Sequence, residues 1–214
     1  MTPSVVIAVP FERGAIVAAT TQEPTVRLLP EDPARLHTGV VKTPWGLLAA
    51  LVPTSALDRS RRALLHSRAV TVAEIQDDVA GLLPPDGPPV LISYEPEESA
   101  EGDPRLLREL ADEGRSGGTW LGLPIRLYRL GGQEPTRLSW GALVAPPAMA
   151  PDLARDGELH LQWGLDRGTG YDSRLEAVMA TFAWLREREP RLSPEVDLGI
   201  HDSGHHYSVD RARW

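Results

Sequence analysis

The chain has 214 residues, 42% of them hydrophobic and 24% charged, enough to bury a substantial core and too apolar for wholesale disorder. Its formal charge of −8 repels phosphate backbones and argues against broad nucleic-acid binding. Cysteine is absent, which excludes disulfides, thiolate catalysis and Cys-ligated metal.

No apolar run reaches the roughly 18–20 residues that cross a bilayer, so no membrane partner is expected. The opening "MTPSVVIAVPFERG" lacks a basic n-region, and its apolar run stops at Pro10, so it does not read as a signal peptide and a cytoplasmic protein is expected. Lys42 is the only lysine, so arginine supplies the other 21 of the 22 basic residues. With 20 prolines, that bias fits a GC-rich bacterial genome. No glycine-rich loop precedes Lys42, which removes P-loop chemistry.

In chain order, "SVVIAVPF" and "GAIVAATT" read as two strands about a turn, with "EPTVRLL" a third. "GVVKT" and "GLLAALV", separated by Pro44 and Trp45, read as another strand pair. Ser55 with Asp58 and Thr71 with Glu74 each fit a capping box, which places helices over "SALDRSRRALLHSR" and "TVAEIQDDVAGLL". The second helix puts Val72, Ile75, Val79 and Leu82 on one face. "LPPDGPP" is the strongest internal punctuation. The chain is read as one domain over 1–214, or as two lobes, 1–83 and 90–214, joined by residues 84–89.

"PVLISYE" reads as a central strand, and Asp103 with Pro104 opens a further helix, "PRLLRELADEG". "LGLPIRLYRL", "TRLSWGALV" and "ELHLQWGLD" alternate with period two and read as strands. In the last of these Leu159, Leu161, Trp163 and Leu165 face one way, with His160 and Gln162 opposite. "YDSRLEAVMATFAWLRERE" is the clearest helix. Leu175, Val178, Met179, Phe182 and Leu185 form its apolar stripe, and Ser173 with Glu176 forms its capping box. "EVDLGIH" and "HYSVDRA" close the chain as a hairpin turning at Asp202–Gly204. The expected fold is α+β: a mostly antiparallel or mixed sheet with about four helices packed on it, ending in a C-terminal β-hairpin.

Two stretches carry candidate chemistry. In "IHDSGHHY", His201, His205 and His206 stand close in sequence beside Asp202. Imidazoles and a carboxylate suit zinc, iron or manganese, so a divalent metal is the cofactor this cluster implies, with His201, His205 and His206 as its ligands. Without metal, His201 and His205 are the acid and base and Asp202 orients one of them. Against this, neighbours on a strand point to opposite faces and a hairpin tip is usually solvated.

The second stretch is "GLDRGTGYDSR", ahead of the strongest helix. There Gly168 and Gly170 with the helix N-terminus form an anion site, and Arg167 and Arg174 add charge. Its glycine spacing matches neither the dinucleotide fingerprint nor the phosphate-cradling Walker A loop. Arg59, Arg61, Arg62 and Arg68 make a cationic helix face, although no stacking strip accompanies it, so nucleic acid is not the expected partner. Six tryptophans against two phenylalanines also favour an interaction surface wherever one of them is exposed. The leading expectation is a cytoplasmic accessory or binding protein acting through a protein or small-molecule interface. The alternative is a small hydrolase- or lyase-like enzyme, metal-dependent or using histidine acid–base chemistry, with its site where the C-terminal histidines meet the 164–174 loop.

Overall fold

The computed structural model describes residues 5–20, 40–51, 63–81, 89–95, 125–146, 149–202 and 207–213. The elements run β1 (Val6–Phe11), β2 (Gly14–Thr20), β3 (Val40–Thr43), β4 (Gly46–Ala49), α1 (Val72–Ala80), β5 (Val90–Tyr94), β6 (Arg126–Leu130), β7 (Thr136–Leu138), β8 (Ala142–Val144), α2 (Pro151–Leu165), α3 (Tyr171–Arg188), β9 (Glu195–Asp202) and β10 (Tyr207–Arg213). A short helical segment at 63–65 precedes α1. The expected strand in "EPTVRLL", the Ser55 capping box, the helix after Asp103 and the segment 84–88 lie outside the described residues.

The strands form two antiparallel five-stranded sheets, ordered β10-β9-β2-β1-β8 and β3-β4-β5-β6-β7. The fold is therefore mixed α+β. Each sheet takes strands from both sides of segment 84–89, and β4 pairs directly with β5 across it. β9 and β10 pair antiparallel from His201 opposite Tyr207 to Glu195 opposite Arg213.

Three apolar clusters order these elements into layers. Val5, Ile7 and Val9 of the first sheet pack with Leu161 of α2 and Val178 and Phe182 of α3. The alternate residues Val6, Ala8, Ala15 and Val17 face the other way, against Val40, Leu47, Leu91 and Leu127 of the second sheet. The far face of that sheet, through Leu48 and Ile92, packs on Val72, Ile75 and Val79 of α1. The order is helices, sheet, sheet, helix. Both faces of the central strands are covered, so β1, β2 and β5 read as nearly continuous apolar runs and not as the alternation of a half-wet sheet. Burying each large aliphatic or aromatic side chain here contributes about 1.5–3 kcal/mol.

Local chemistry sets several boundaries. Thr71 caps α1 with the expected box, its hydroxyl accepting from Glu74 N–H while the Glu74 carboxylate accepts from Thr71 N–H. α3 begins instead at Gly170 with no side-chain cap, so the Ser173–Glu176 box does not form. "TRLSWGALV" divides at Ser139–Gly141 into β7 and β8, which join different sheets.

"ELHLQWGLD" is not a strand. It is the second half of α2. Leu161 and Leu165 lie one turn apart and are buried, whereas Leu159 and Trp163, also one turn apart, are exposed. Two residues on a helix turn through about 200°, so two four-spaced apolar pairs on opposite faces imitate the period of a strand. Trp140 and Trp163 are the exposed indoles among the described residues, and Trp45 is buried.

Candidate functional site

Two polar regions stand out, and they sit in different layers. The first lies between the sheets. On β9 the residues Asp197, Gly199 and His201 pair with Ala19, Val17 and Ala15, whose side chains face the second sheet. That parity sends the His201 ring into the inter-sheet layer, where the residue is 0% exposed. Its Nδ1 lies 2.8 Å from Ser93 Oγ on β5, and its Nε2 lies 3.1 Å from Glu95 Oε2. Ser93 Oγ accepts from Leu47 N–H of β4 at 3.1 Å.

One assignment of protons satisfies every group. Leu47 N–H donates to Ser93, the Ser93 hydroxyl donates to Nδ1, and Nε2–H donates to the Glu95 carboxylate. This is a hydrogen-bonded bridge from sheet to sheet, in a layer made mostly of aliphatic side chains, which also takes the buried Asp197 of β9. Gly46 makes room for it. The residue has φ +146°, and a Cβ there would stand 2.0 Å from Ser93 O and 3.0 Å from His201 Cε1.

The serine–histidine–carboxylate order invites comparison with a nucleophilic triad, but burial decides against that role. Ser93 is 0% exposed, so its hydroxyl meets no substrate. Of the three, only Glu95 reaches an opening, a recess of about 210 Å3 lined by Trp45, Ser67, Arg68, Ala69, Val70, Tyr94 and Glu95. The Tyr94 hydroxyl donates to Val70 O and ties the 67–70 segment across the mouth of β5.

The second region is the cleft between α2 and α3. Gly157 and Gly164 let the helices approach closely: a Cβ at 164 would stand 2.8 Å from Ala177 Cβ, and one at 157 would stand 2.8 Å from Leu185 Cδ2. Over this contact opens a recess of about 340 Å3, with His160, Trp163, Arg167, Ser173 and Glu176 on its walls. His160 Nδ1 lies 3.4 Å from Thr181 Oγ1, and the imidazole stacks on Trp184 with centroids 5.3 Å apart. Arg188 covers the same indole at 4.0 Å. Partial burial, with Arg188 and then Arg167 nearby, holds the His160 pKa below its ordinary value. Two arginines thus set the field at His160, while Glu176 stands on the same recess.

The expected site residues are distributed across both regions. His201 is in the core and not at a solvated tip, with both ring nitrogens engaged. A metal-ligating imidazole needs a free ring nitrogen. Asp202 ends β9 and pairs with Gly14, while His205 and His206 lie outside the described residues. Among the described residues no group of three or more His, Asp or Glu is placed to hold a metal.

Arg167 lines the helix cleft. Arg174 is buried, and its Nη1 donates at 3.0 Å to Leu165 O at the end of α2, so it fastens the helix hairpin. Gly168 packs on Ser173, and Gly170 precedes α3 with nothing within 4 Å of a Cβ position. The loop is tied to the β1–β2 turn, since Thr169 O accepts from Glu12 N–H and the Thr169 hydroxyl donates to the Glu12 carboxylate. That turn also precedes Gly14, the partner of Asp202, so the loop and the end of β9 lie at the same end of the first sheet while His201 points into the inter-sheet layer.

Ser93, Glu95 and His160 carry these sites without having been singled out by pattern. Ser93 and Glu95 stand 108 and 106 positions from His201. The legible signal is that Ser93 is the one aliphatic hydroxyl in "VLISYE" and, two positions away, shares a strand face with Glu95. No helix among the described residues is long and apolar enough to cross a membrane. In comparisons with protein-family models and with curated proteins, nothing matches this chain.

Proposed function

We propose that the chain is a binding protein that takes a small anionic ligand with a planar or aromatic part in the α2–α3 cleft. The observation that carries this reading is Trp163, 68% exposed on the wall of the recess beside Arg167. A large indole left in water one helical turn from the half-exposed Leu159 is an apolar surface without a cover, and both Trp and Arg are enriched among the residues that dominate binding energy at interfaces. Arg167 supplies the charge for a carboxylate or phosphate, Ser173 a hydroxyl, and Trp163 a face for stacking. Glu176 on the opposite wall disfavours a second negative group on the ligand.

Acid–base catalysis at His201 gains no support from this arrangement, because the imidazole is enclosed behind Ser93 and Glu95. The test is a screen of carboxylate- and phosphate-bearing aromatic metabolites by tryptophan fluorescence and thermal shift, with Trp163→Ala and Arg167→Gln as controls. The expected result is a saturable ligand whose affinity falls about tenfold or more in each variant. Ligands that bind both variants as well as the parent chain would move the site elsewhere, and a screen with no ligand would end the reading.

A further inference from the structure

The recess beside the inter-sheet bridge is separate from the helix cleft and has its own chemistry. Its cavity of about 210 Å3 lies below the ~300 Å3 lower bound typical of drug-sized ligand pockets, so it fits a small metabolite. Glu95 spends Oε2 on His201 Nε2, which fixes the carboxylate at the recess and leaves Oε1 for another partner. Arg68 lines the same recess. Among the described residues Arg68 and Glu95 form no ion pair with each other, so opposite charges border one space without closing it. Trp45, 2% exposed, supplies an aromatic wall, and its Nε1–H has no hydrogen-bond partner among the described residues. A buried indole N–H usually finds an acceptor, and leaving one unmade costs about 1–3 kcal/mol.

We propose that this recess is a binding site for a free α-amino acid or a similarly small zwitterion. The ligand ammonium donates to Glu95 Oε1. Its carboxylate pairs with Arg68 and accepts from Trp45 Nε1, and its side chain lies against Tyr94 and Ala69. His201 acts as a positioning residue, because it holds Glu95 ready to accept. The separation of one anion and one cation across a small cavity selects a molecule carrying both charges over one carrying either alone.

The experiment is calorimetric titration of the full chain with the free L-amino acids, followed by the N-acetyl and methyl-ester derivatives of any that bind. The expected result is at least one free amino acid with a Kd of roughly 1 mM or tighter. Acetylation, which removes the ammonium, and esterification, which removes the carboxylate, should each abolish the signal. Arg68→Gln and Glu95→Gln should weaken binding about tenfold or more, Trp45→Phe should weaken it less, and Arg155→Gln, an exposed arginine on α2, should leave it unchanged. Circular dichroism checks that Glu95→Gln folds; Arg68 is exposed, so its variant carries the test if Glu95→Gln does not. Overturning results are no binding by any free amino acid at roughly 10 mM, equal binding of the blocked derivatives, or full affinity in Arg68→Gln.

Discussion

His201 and His160 occupy opposite kinds of surroundings. His201 lies between two sheets with each ring nitrogen within 3.1 Å of a polar partner and no contact with solvent. His160 lies on a helix pair, stacked on Trp184, with one ring nitrogen 3.4 Å from a threonine hydroxyl and the walls of a recess around it. Between sheets, water is excluded, so a polar group must be fully hydrogen-bonded or it costs the fold free energy. Against a helix layer that borders solvent, a polar group can stay partly unsatisfied and reachable. The first histidine therefore acts through what it holds in place, and the second sits where a ligand can meet it.

That contrast can be tested in stability and in binding. The largest effect belongs to His201→Ala. It leaves the buried Ser93 hydroxyl without an acceptor, frees the Glu95 carboxylate of its His201 partner and opens a cavity, and urea unfolding should show a loss of about 4 kcal/mol. A loss below about 1 kcal/mol would show that the bridge is not holding the sheets. Next is Ser93→Ala, which strips Leu47 N–H and His201 Nδ1 of their partner. A loss of about 1–3 kcal/mol by the same measurement is expected.

The helix cleft should respond differently. The His160 pKa lies below the ordinary 6.5 because burial and Arg188 with Arg167 disfavour the imidazolium. The unfolded imidazole takes up its proton first as pH falls, so His160 contributes stability above pH 6.5 that is lost as pH drops through its folded value. In His160→Asn the decline of the urea midpoint below pH 6.5 should be shallower than in the parent chain. An unchanged slope would remove the cationic field from the account of the cleft. The smallest stability effect is expected for Trp163→Ala, within about 0.5 kcal/mol, since the indole is mostly in water. A larger loss would make Trp163 a packing residue and not a ligand contact.

Much of the architecture follows from short-range pattern. The β1–β2 and β3–β4 pairs, the Thr71–Glu74 cap, the β5 strand, the long α3 helix and the terminal strand pair were legible because each depends on neighbours in sequence. The α2 helix was misread for a physical reason: Leu159 and Trp163 add a second apolar stripe on the outer face, and two stripes on opposite sides of a helix reproduce a strand's alternation. The same exposed stripe borders the proposed ligand cleft, so the local pattern is least helical where apolar side chains are left in water.

The candidate sites were less legible. Composition and periodicity determined the α+β class, the strands' apolar runs and the presence of histidine and arginine near the C-terminal third. They could not determine that β9 would lie across β3 and β4 with His201 reaching Ser93 of β5, because that depends on how two sheets stack and not on any local preference. Stacking turned His201 inward to Ser93 and Glu95 over more than a hundred positions of chain, and it gave Arg174 to the end of α2 while leaving Arg167 at the recess. Side-chain parity along a strand is written in the sequence, but which face meets water and which meets another sheet is decided only when the layers pack.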